Sequence, residues 1–488
     1  MSSTTQSDRA NWRTVYALCV GFFMTLLDTT IVNVALPSMI TDLNASLNDV
    51  IWVVSAYLLA FAVPLLLTGR LGDRFGPKRL YGIGLVLFLA ASLACGLATS
   101  AEALIAARVF QGLGAAAMTP QTMAFITHLF PPAKRGAALG MWGSVAGLAT
   151  ISGPLLGGVL VTHLGWEWIF FVNLPIGVLA LVLLFLWVPD LQPGRAPKFD
   201  VLGVVLCCLG LGLLVFGIQN GEHYQWGRVA GPITVAEIIA AGVVFLAAFV
   251  FWQASARNPE PLMPLRIFRN RNFSLGNVAN VAIGITVTGV FVPLALFLQT
   301  VPKLSPLMTG LVTAPASLMS GVVAIFAGRW SNRADAKYLP MIGFALMGAG
   351  ILAMTFLLGT ASQNNGTQWV LLPSMVLLGI GMGMVFSPLT NISTRTLDRS
   401  LLGAGSGIYN TSRQFGNVLG SAATAAVLQI VLAATGDFTS AVRAAFYLLL
   451  AVIVLGIVAA LAFRQVAAPS VTDSPRASDP GLPVSRPS

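Results

Sequence analysis

Charge is what this sequence lacks most: Asp, Glu, Lys and Arg make up only 9% of its 488 residues. A soluble domain carries about 25%. A surface of this composition would not stay wet, so the chain's main solvent must be lipid. A Gly-Lys pair is also missing, because all five lysines (Lys78, Lys134, Lys198, Lys303 and Lys337) follow Pro or Ala. That excludes a phosphate-binding loop of the Walker type. Any work the chain does must draw on an ion gradient or on its substrate, not on ATP through that loop. The three histidines, His128, His163 and His223, fall in or beside different loops. The four cysteines, Cys19, Cys95, Cys207 and Cys208, all sit inside apolar runs without metal-ligand spacing and read as small buried residues. No H-E-x-x-H, C-x-x-C or nucleophile-elbow pattern occurs. No cofactor, no metal and no enzymatic activity are therefore expected.

What is present is apolar length. Hydrophobic residues make up 56% of the chain, and a membrane helix needs about 20 of them in a run. Fourteen such runs can be drawn, from Thr14–Leu36 to Ala444–Phe463. The first follows Arg9 and Arg13 as a signal peptide would. It is too long for one, contains Asp28 and lacks a small-residue cleavage site, so it reads as a retained span. The connection between the seventh and eighth runs, Gln219 to Pro232, is long and polar.

The net charge of +10 does not point to nucleic acid, since the basic residues lie in short loops and form no continuous patch. With the N-terminus in the cytoplasm, the inner segments hold 22 Lys and Arg and the outer ones three (Arg228, Lys303 and Arg443). Arg108 and Arg413 lie within spans. That bias predicts an inner-membrane, multi-pass protein with both termini cytoplasmic.

Gly69, Arg70 and Arg74 after the second span are matched by Gly328, Arg329 and Arg333 after the tenth, with Asn332 in the place of Asp73. The match maps span two onto span ten and suggests two six-helix halves around an inserted pair. Parallel repeats flanking a midplane site are a transporter architecture. The expected fold is all-α, integral to the membrane. Its parts are a cytoplasmic tail over 1–13, an N-terminal half over 14–188 and an inserted two-helix region over 189–272. A C-terminal half over 273–465 and a disordered cytoplasmic tail over 466–488, rich in Pro and Ser, complete it.

Several intramembrane residues can be given work. Asp28 is a carboxylate inside a lipid-embedded helix, which is costly and functional by default. It suits a group that takes a proton from one side and releases it to the other. Its alternative is a structural hydrogen bond to Asn33 or a neighbouring helix. Arg108 falls within about 5 Å of the depth of Asp28 at 1.5 Å per residue. It can couple the carboxylate's protonation to conformation, neutralise it statically, or snorkel outward. Gly143, Gly147 and Gly157 place small residues on span five, with Gly153-Pro154 between them to loosen the helix. They make a sliding seam or ordinary tight packing. Asn410, Arg413, Gln414 and Asn417 recur at i, i+3, i+4 and i+7 on span thirteen. That polar face lines a substrate path or fixes helix register. Glu237, near an outer end of the inserted pair, is expected to snorkel.

The motifs resemble those of the fourteen-span drug:proton antiporter branch of the major facilitator superfamily, along nearly the whole chain. Leu27-Asp28-Thr29-Thr30-Ile31-Val32-Asn33-Val34-Ala35-Leu36-Pro37 is similar to its first-span signature. Gly69-Arg70-Leu71-Gly72-Asp73-Arg74-Phe75-Gly76-Pro77-Lys78-Arg79 is similar to the superfamily's loop motif. Arg108, Gln111, Gly112 and Gly114 match the fourth-span motif. Gly143, Gly147, Gly153-Pro154 and Gly157-Gly158 resemble the antiporter motif, and Asn410, Arg413, Gln414, Gly416 and Gly420 a thirteenth-span motif. One departure is Trp166-Glu167-Trp168, where the family has Arg between the tryptophans.

The resemblance implies proton-coupled export of amphipathic organic compounds such as drugs and antibiotics, by a monomer whose partners are substrate, protons and lipid. It implies proton coupling by Arg108 with Asp28, and a conformational latch from Gly69, Arg70, Gly72, Asp73, Arg74, Gly76, Lys78 and Arg79. It leaves Asn33 and Gln111 as further candidates for the substrate path. A dedicated exporter of one endogenous metabolite or antibiotic would share the fold and energy source. A membrane sensor would carry a folded soluble domain, and no loop here exceeds about 20–25 residues, far below domain size.

Overall fold

The computed structural model describes residues 2–130, 132–191, 200–255, 257–258, 261–330, 337–362, 367–395, 397 and 402–464. The expected tail over 466–488 lies outside them. The helices are α1 (Ser2–Asp42), α2 (Leu47–Ala62), α3 (Leu65–Phe75), α4 (Pro77–Gly96), α5 (Ala101–Leu129) and α6 (Pro132–His163). A short α7 (Trp168–Phe171) leads into α8 (Asn173–Trp187), then α9 (Val201–Gln219) and α10 (Val235–Ala254). The chain continues through α11 (Arg271–Thr300), α12 (Pro306–Trp330), α13 (Tyr338–Ala361), α14 (Leu372–Arg395), α15 (Leu402–Thr435) and α16 (Phe438–Leu461).

Among the described residues, eleven helices are long and apolar enough to cross a membrane, and twelve if the bent α2–α3 pair is one span. Fourteen runs were expected. Of the other two, one is α5, where Arg108, Gln111 and Gln121 dilute the apolar composition. The other is α6, where a shorter apolar stretch, Gly147–His163, is found. The long polar connection between α9 and α10 contains a small antiparallel hairpin, β1 (Arg228–Ala230) with β2 (Ile233–Thr234).

Turn chemistry sets the ends of the helices. Before α2, the Asp49 N–H donates to Ser46 Oγ at 3.2 Å and the Ser46 N–H donates back to Asp49 Oδ2 at 2.9 Å, a capping box that satisfies two otherwise orphaned donors. Thr234 and Glu237 form the same box at the start of α10, with 3.3 and 2.7 Å bonds. Glu237, expected to snorkel, is thus held by the cap. Gly76 turns between α3 and α4 at φ 93°, a value costly for a side chain, and Pro77 opens α4 where no N–H is needed.

Taken in chain order, an earlier group of helices joins α1 to α6 and α8, and α5 to α2 and α4, and a later group joins α11 to α15 and α16, and α14 to α12 and α13. Packing does not set them apart, since α6 packs on α12 as closely as on α1. Contacts also run from α2 to α15 and from α1 to α11, while α9 and α10 pack chiefly on each other. Apolar side chains also cover the outside, with Phe251 76% and Phe185 69% exposed. That inversion of the usual rule marks a surface solvated by lipid.

Candidate functional site

Asp28 sits midway along α1 with its side chain fully buried. The threonines around it are satisfied within their own helix: Thr25 donates to the Phe22 carbonyl and Thr29 to the Thr25 carbonyl, both at 2.9 Å. Such back-bonding lets hydroxyls reside in a low-dielectric span. Asp28 has no such resource and takes its partners from other helices. Arg108 of α5 donates through Nη1 to Oδ2 at 2.5 Å. Gln111 of α5 and Asn173 of α8 donate through Nε2 and Nδ2 to Oδ1 at 2.9 and 3.1 Å.

Arg108 is equally enclosed, at 1% exposure. Its Nε donates to the Val53 carbonyl of α2 at 3.1 Å and its Nη1 to Gln111 Oε1 at 2.8 Å. The guanidinium carbon lies 4.0 Å from the centre of the Tyr57 ring. Ser92 of α4 accepts from Asn173 at 3.1 Å and from Gln111 at 3.3 Å, and donates to the Phe170 carbonyl at 2.9 Å. Five helices thus converge on one ion pair. A buried pair survives desolvation only with such added hydrogen bonds, and losing one partner strands the other's charge.

Of the expected site residues, Asp28, Arg108 and Gln111 come together, Gln111 by its bonds to both members of the pair. Asn33 does not join, and its buried Oδ1 has no hydrogen-bond partner among the described residues. Asn173, Ser92 and Tyr57 were missed. Asn173 carried a signal, being a polar residue within a predicted span.

The loop-motif residues lie at the opposite end of the bundle from the α1–α2 turn. Arg70 donates to the Pro261 carbonyl in the segment after α10, and Lys78 Nζ to the Val188 carbonyl after α8 at 2.6 Å. Gly69 and Gly72 bring α3 against Pro120 and Gln121 of α5. Asp73, Arg74 and Arg79 are exposed, and Arg74 lies 5.5 Å from the Phe75 ring centre.

At the same end, the buried Asp200 carboxylate gathers α9, α10 and the segment beyond. It accepts from the Gly203 N–H at 2.8 Å, Trp252 at 2.6 Å, Gln253 at 2.7 Å and Asn258 at 2.8 Å. Burial by itself pushes this carboxyl up, and the four donors outweigh it, holding it below its ordinary range.

Span-five glycines face two ways. Gly153 and Gly157 lie against Thr30 and Ile31 of α1, Gly158 against Pro306 and Leu307 at the start of α12, and Gly147 against Gly321 of α12. Gly143 and Pro154 share the helix, and a Cβ on Gly310 of α12 would lie 2.2 Å from the Pro154 carbonyl oxygen. These residues make α6 the close-packed joint between α1 and α12.

The two groups of helices also meet through hydrogen bonds. Ser55 of α2 and Ser421 of α15 are bonded at 2.8 Å in the interior. Nearer the α1–α2 turn, Gln429 of α15 donates to Asn48 at 3.3 Å, Gln299 of α11 donates to the Val34 carbonyl at 2.9 Å, and the Leu307 N–H donates to Thr162 at 3.1 Å. Asn48 in turn donates to Asn220, beyond α9, at 2.8 Å. On α15, Asn417 donates to Gln414 at 2.7 Å and Arg413 reaches Asn410 Oδ1 at 3.4 Å.

The sequence profile of the Major Facilitator Superfamily matches residues 18–421. The chain belongs to this superfamily. It is a multi-pass membrane transporter by that membership and by its apolar helices. It is 36% identical over 428 residues, 87% of this chain and 77% of the relative, to the tetracenomycin C resistance and export protein of Streptomyces glaucescens. It is 33% identical over 429 residues, 88% of this chain and 78% of the relative, to the multidrug resistance protein Stp of Mycobacterium tuberculosis (strain CDC 1551 / Oshkosh). Among solved structures, an auto-inhibited POT family peptide transporter shares the fold at a TM-score of 0.66 and 15% identity, covering 94% of this chain and 98% of that one.

Proposed function

We propose that this superfamily member is a proton-coupled antiporter that exports amphipathic organic compounds, drugs and antibiotics among them, across the plasma membrane. The observation that carries the reading is the Asp28–Arg108 pair, sealed at 0% and 1% exposure inside a membrane bundle. A helix shift that parts the two leaves both charges without their partner, so such a shift can be tied to the loading and release of a proton at Asp28. Protonation state and conformation then become one variable, the coupling an antiporter needs.

The relatives' names, one for export of and resistance to tetracenomycin C and one for multidrug resistance, support an organic cargo moving outward. The former favours, as a second reading, a transporter devoted to one compound. In either reading the chain has fourteen spans, arranged as halves over 14–188 and 273–465 around an inserted region over 189–272. The α3–α4 turn and both termini are cytoplasmic, and the working unit is a monomer. The Gly69–Arg79 loop acts as the latch, α6 as the sliding seam, and the polar face of α15 as part of the cargo's path.

The test is reconstitution in vesicles holding a pH-sensitive dye under an inward proton gradient, with drugs added one at a time. Drug-dependent proton flux in the wild type that vanishes in a folded Asp28→Asn, Arg108→Gln double variant is expected. Equal flux in that variant would remove the proton-site assignment, and no flux with any compound would remove antiport.

A further inference from the structure

Arg413 is the other arginine within a span, and the coupling pair makes no use of it. It is half-buried, and its hydrogen-bond partner is Asn410 Oδ1 at 3.4 Å, at the long end of the range. No described carboxylate pairs with it. The one described carboxylate deep in the bundle, Asp28, is already held by Arg108. An unpaired cation inside a span is expensive and calls for a counter-charge.

The surroundings of Arg413 show where that counter-charge would come from. Ser421 of α15 points at Ser55 of α2. Gly416 and Gly420 abut α11, so closely that a Cβ on either would lie 2.4 or 2.5 Å from the Val281 or Ile285 carbonyl oxygen. At 3.6 residues per turn, Asn410, Arg413 and Asn417 fall in the angle between those two directions. They therefore face the interior between the two helix groups, and all three are partly exposed there. The guanidinium carbon of Arg413 is 5.9 Å from the Phe386 ring centre of α14. It lies two turns from Ser421, about 12 Å along the helix, on the side away from the bonds that join the groups near the α1–α2 turn.

We propose that Arg413 is the recognition point for an anionic group, a carboxylate or phenolate, on an aromatic cargo. This rests on the exporter reading above and narrows it. The guanidinium fork presents paired donors that match a carboxylate's two oxygens, and Phe386 offers an aromatic face beside them. Because Asp28 and Arg108 cancel each other, Arg413 leaves a net positive charge among the described side chains of the interior. Anions are drawn in and lipophilic cations are disfavoured.

The experiment measures binding to the purified full chain in nanodiscs of anthracene-9-carboxylate, its neutral primary amide and the cationic 9-(aminomethyl)anthracene. These share one apolar body. The carboxylate is expected to bind most tightly. Arg413→Gln is expected to weaken it about ten- to a hundredfold, as removal of a charge-assisted bond does, and to weaken the amide much less, so that the preference for the anion is lost. Arg413→Lys, which keeps the charge if the Gln variant fails to fold, should retain a preference for the anion.

Equal or tighter binding of the amine, or an anion preference that survives in folded Arg413→Gln, would overturn the proposal. So would complete displacement of the carboxylate by an equal concentration of chloride or inorganic phosphate, which would mark a site for small inorganic ions. Anion-selective binding without transport of any organic compound would leave the site standing and sink the exporter reading. Transport without charge preference would do the reverse.

Discussion

Removing the charge from Asp28 alone should damage the fold more than removing both charges of the pair. Asp28→Asn leaves Arg108 buried at 1% exposure with the Val53 carbonyl, Gln111 and the Tyr57 ring as its remaining partners, none of them anionic. Stranding one member of a buried pair costs about 3–5 kcal/mol. The partial shelter of those neutral partners places the expected loss toward the lower end, near 3 kcal/mol. Arg108→Gln alone strands Asp28 instead, with Gln111 and Asn173 still donating to Oδ1, and should cost a similar amount. The double variant has no charge to strand. Its loss should be smaller than the sum of the two single losses by at least about 2 kcal/mol, the coupling expected of two groups in direct contact. The assay is a double-mutant cycle on unfolding free energies, read by denaturant titration of each variant in bicelles. Additive losses, or an Asp28→Asn variant as stable as the wild type, would refute the claim that the pair is sealed as described.

Two further predictions concern other parts of the bundle. Ser55→Cys with Ser421→Cys replaces hydroxyls 2.8 Å apart, within reach of a disulfide; oxidation should stop transport and a reductant restore it, and unimpeded transport by the crosslinked protein would show that α2 and α15 need not separate. Asp200→Asn should lower stability by about 1 kcal/mol at neutral pH, after allowance for solvent at the bundle's edge. Because the folded carboxyl is held below its ordinary range, its contribution is present above about pH 4 and fades as pH falls through the lower folded value. The wild type's advantage in thermal melting should therefore shrink on acidification, and an advantage that grows instead would contradict the four-donor account.

How much of this was legible beforehand depended on charge. Asp28 and Arg108 announced themselves as charged residue types in apolar runs, and a depth count along two helices set them level, leaving coupling, static neutralisation and outward snorkelling of Arg108 open. Asn173 and Ser92 did not, because a neutral polar residue in a span can satisfy itself on its own backbone, as Thr25 and Thr29 do. Only tertiary packing reveals which polar residues point at the carboxylate. Gln111 and Asn33 were grouped together as possible path residues, yet they part company: Gln111 is one turn from Arg108 and turns to the same partner, while Asn33 is more than a turn beyond Asp28 on α1. The clasp at Asp200 was invisible for another reason. Its donors Trp252, Gln253 and Asn258 lie some fifty residues on, across a helix pair whose mutual packing the sequence does not encode by periodicity. Glu237 shows a local rule missed, since Thr-x-x-Glu ahead of an apolar run is a helix start that could have been read directly.

The separation of Asp28 from Arg108 by 80 residues has a consequence for how the protein is made. At about 5–20 residues per second, α5 follows α1 out of the ribosome by about 4–16 s. Throughout that interval α1 carries a carboxylate with no cation to meet it, and each such charge costs about 2.5–3.5 kcal/mol at the centre of an inserting helix. The nascent α1 is therefore a poor candidate for early release into lipid. The insertion machinery would have to keep it in a sheltered, partly aqueous place until its partner arrives, so that the ion pair is made at the point of synthesis and delivered to the membrane already neutral.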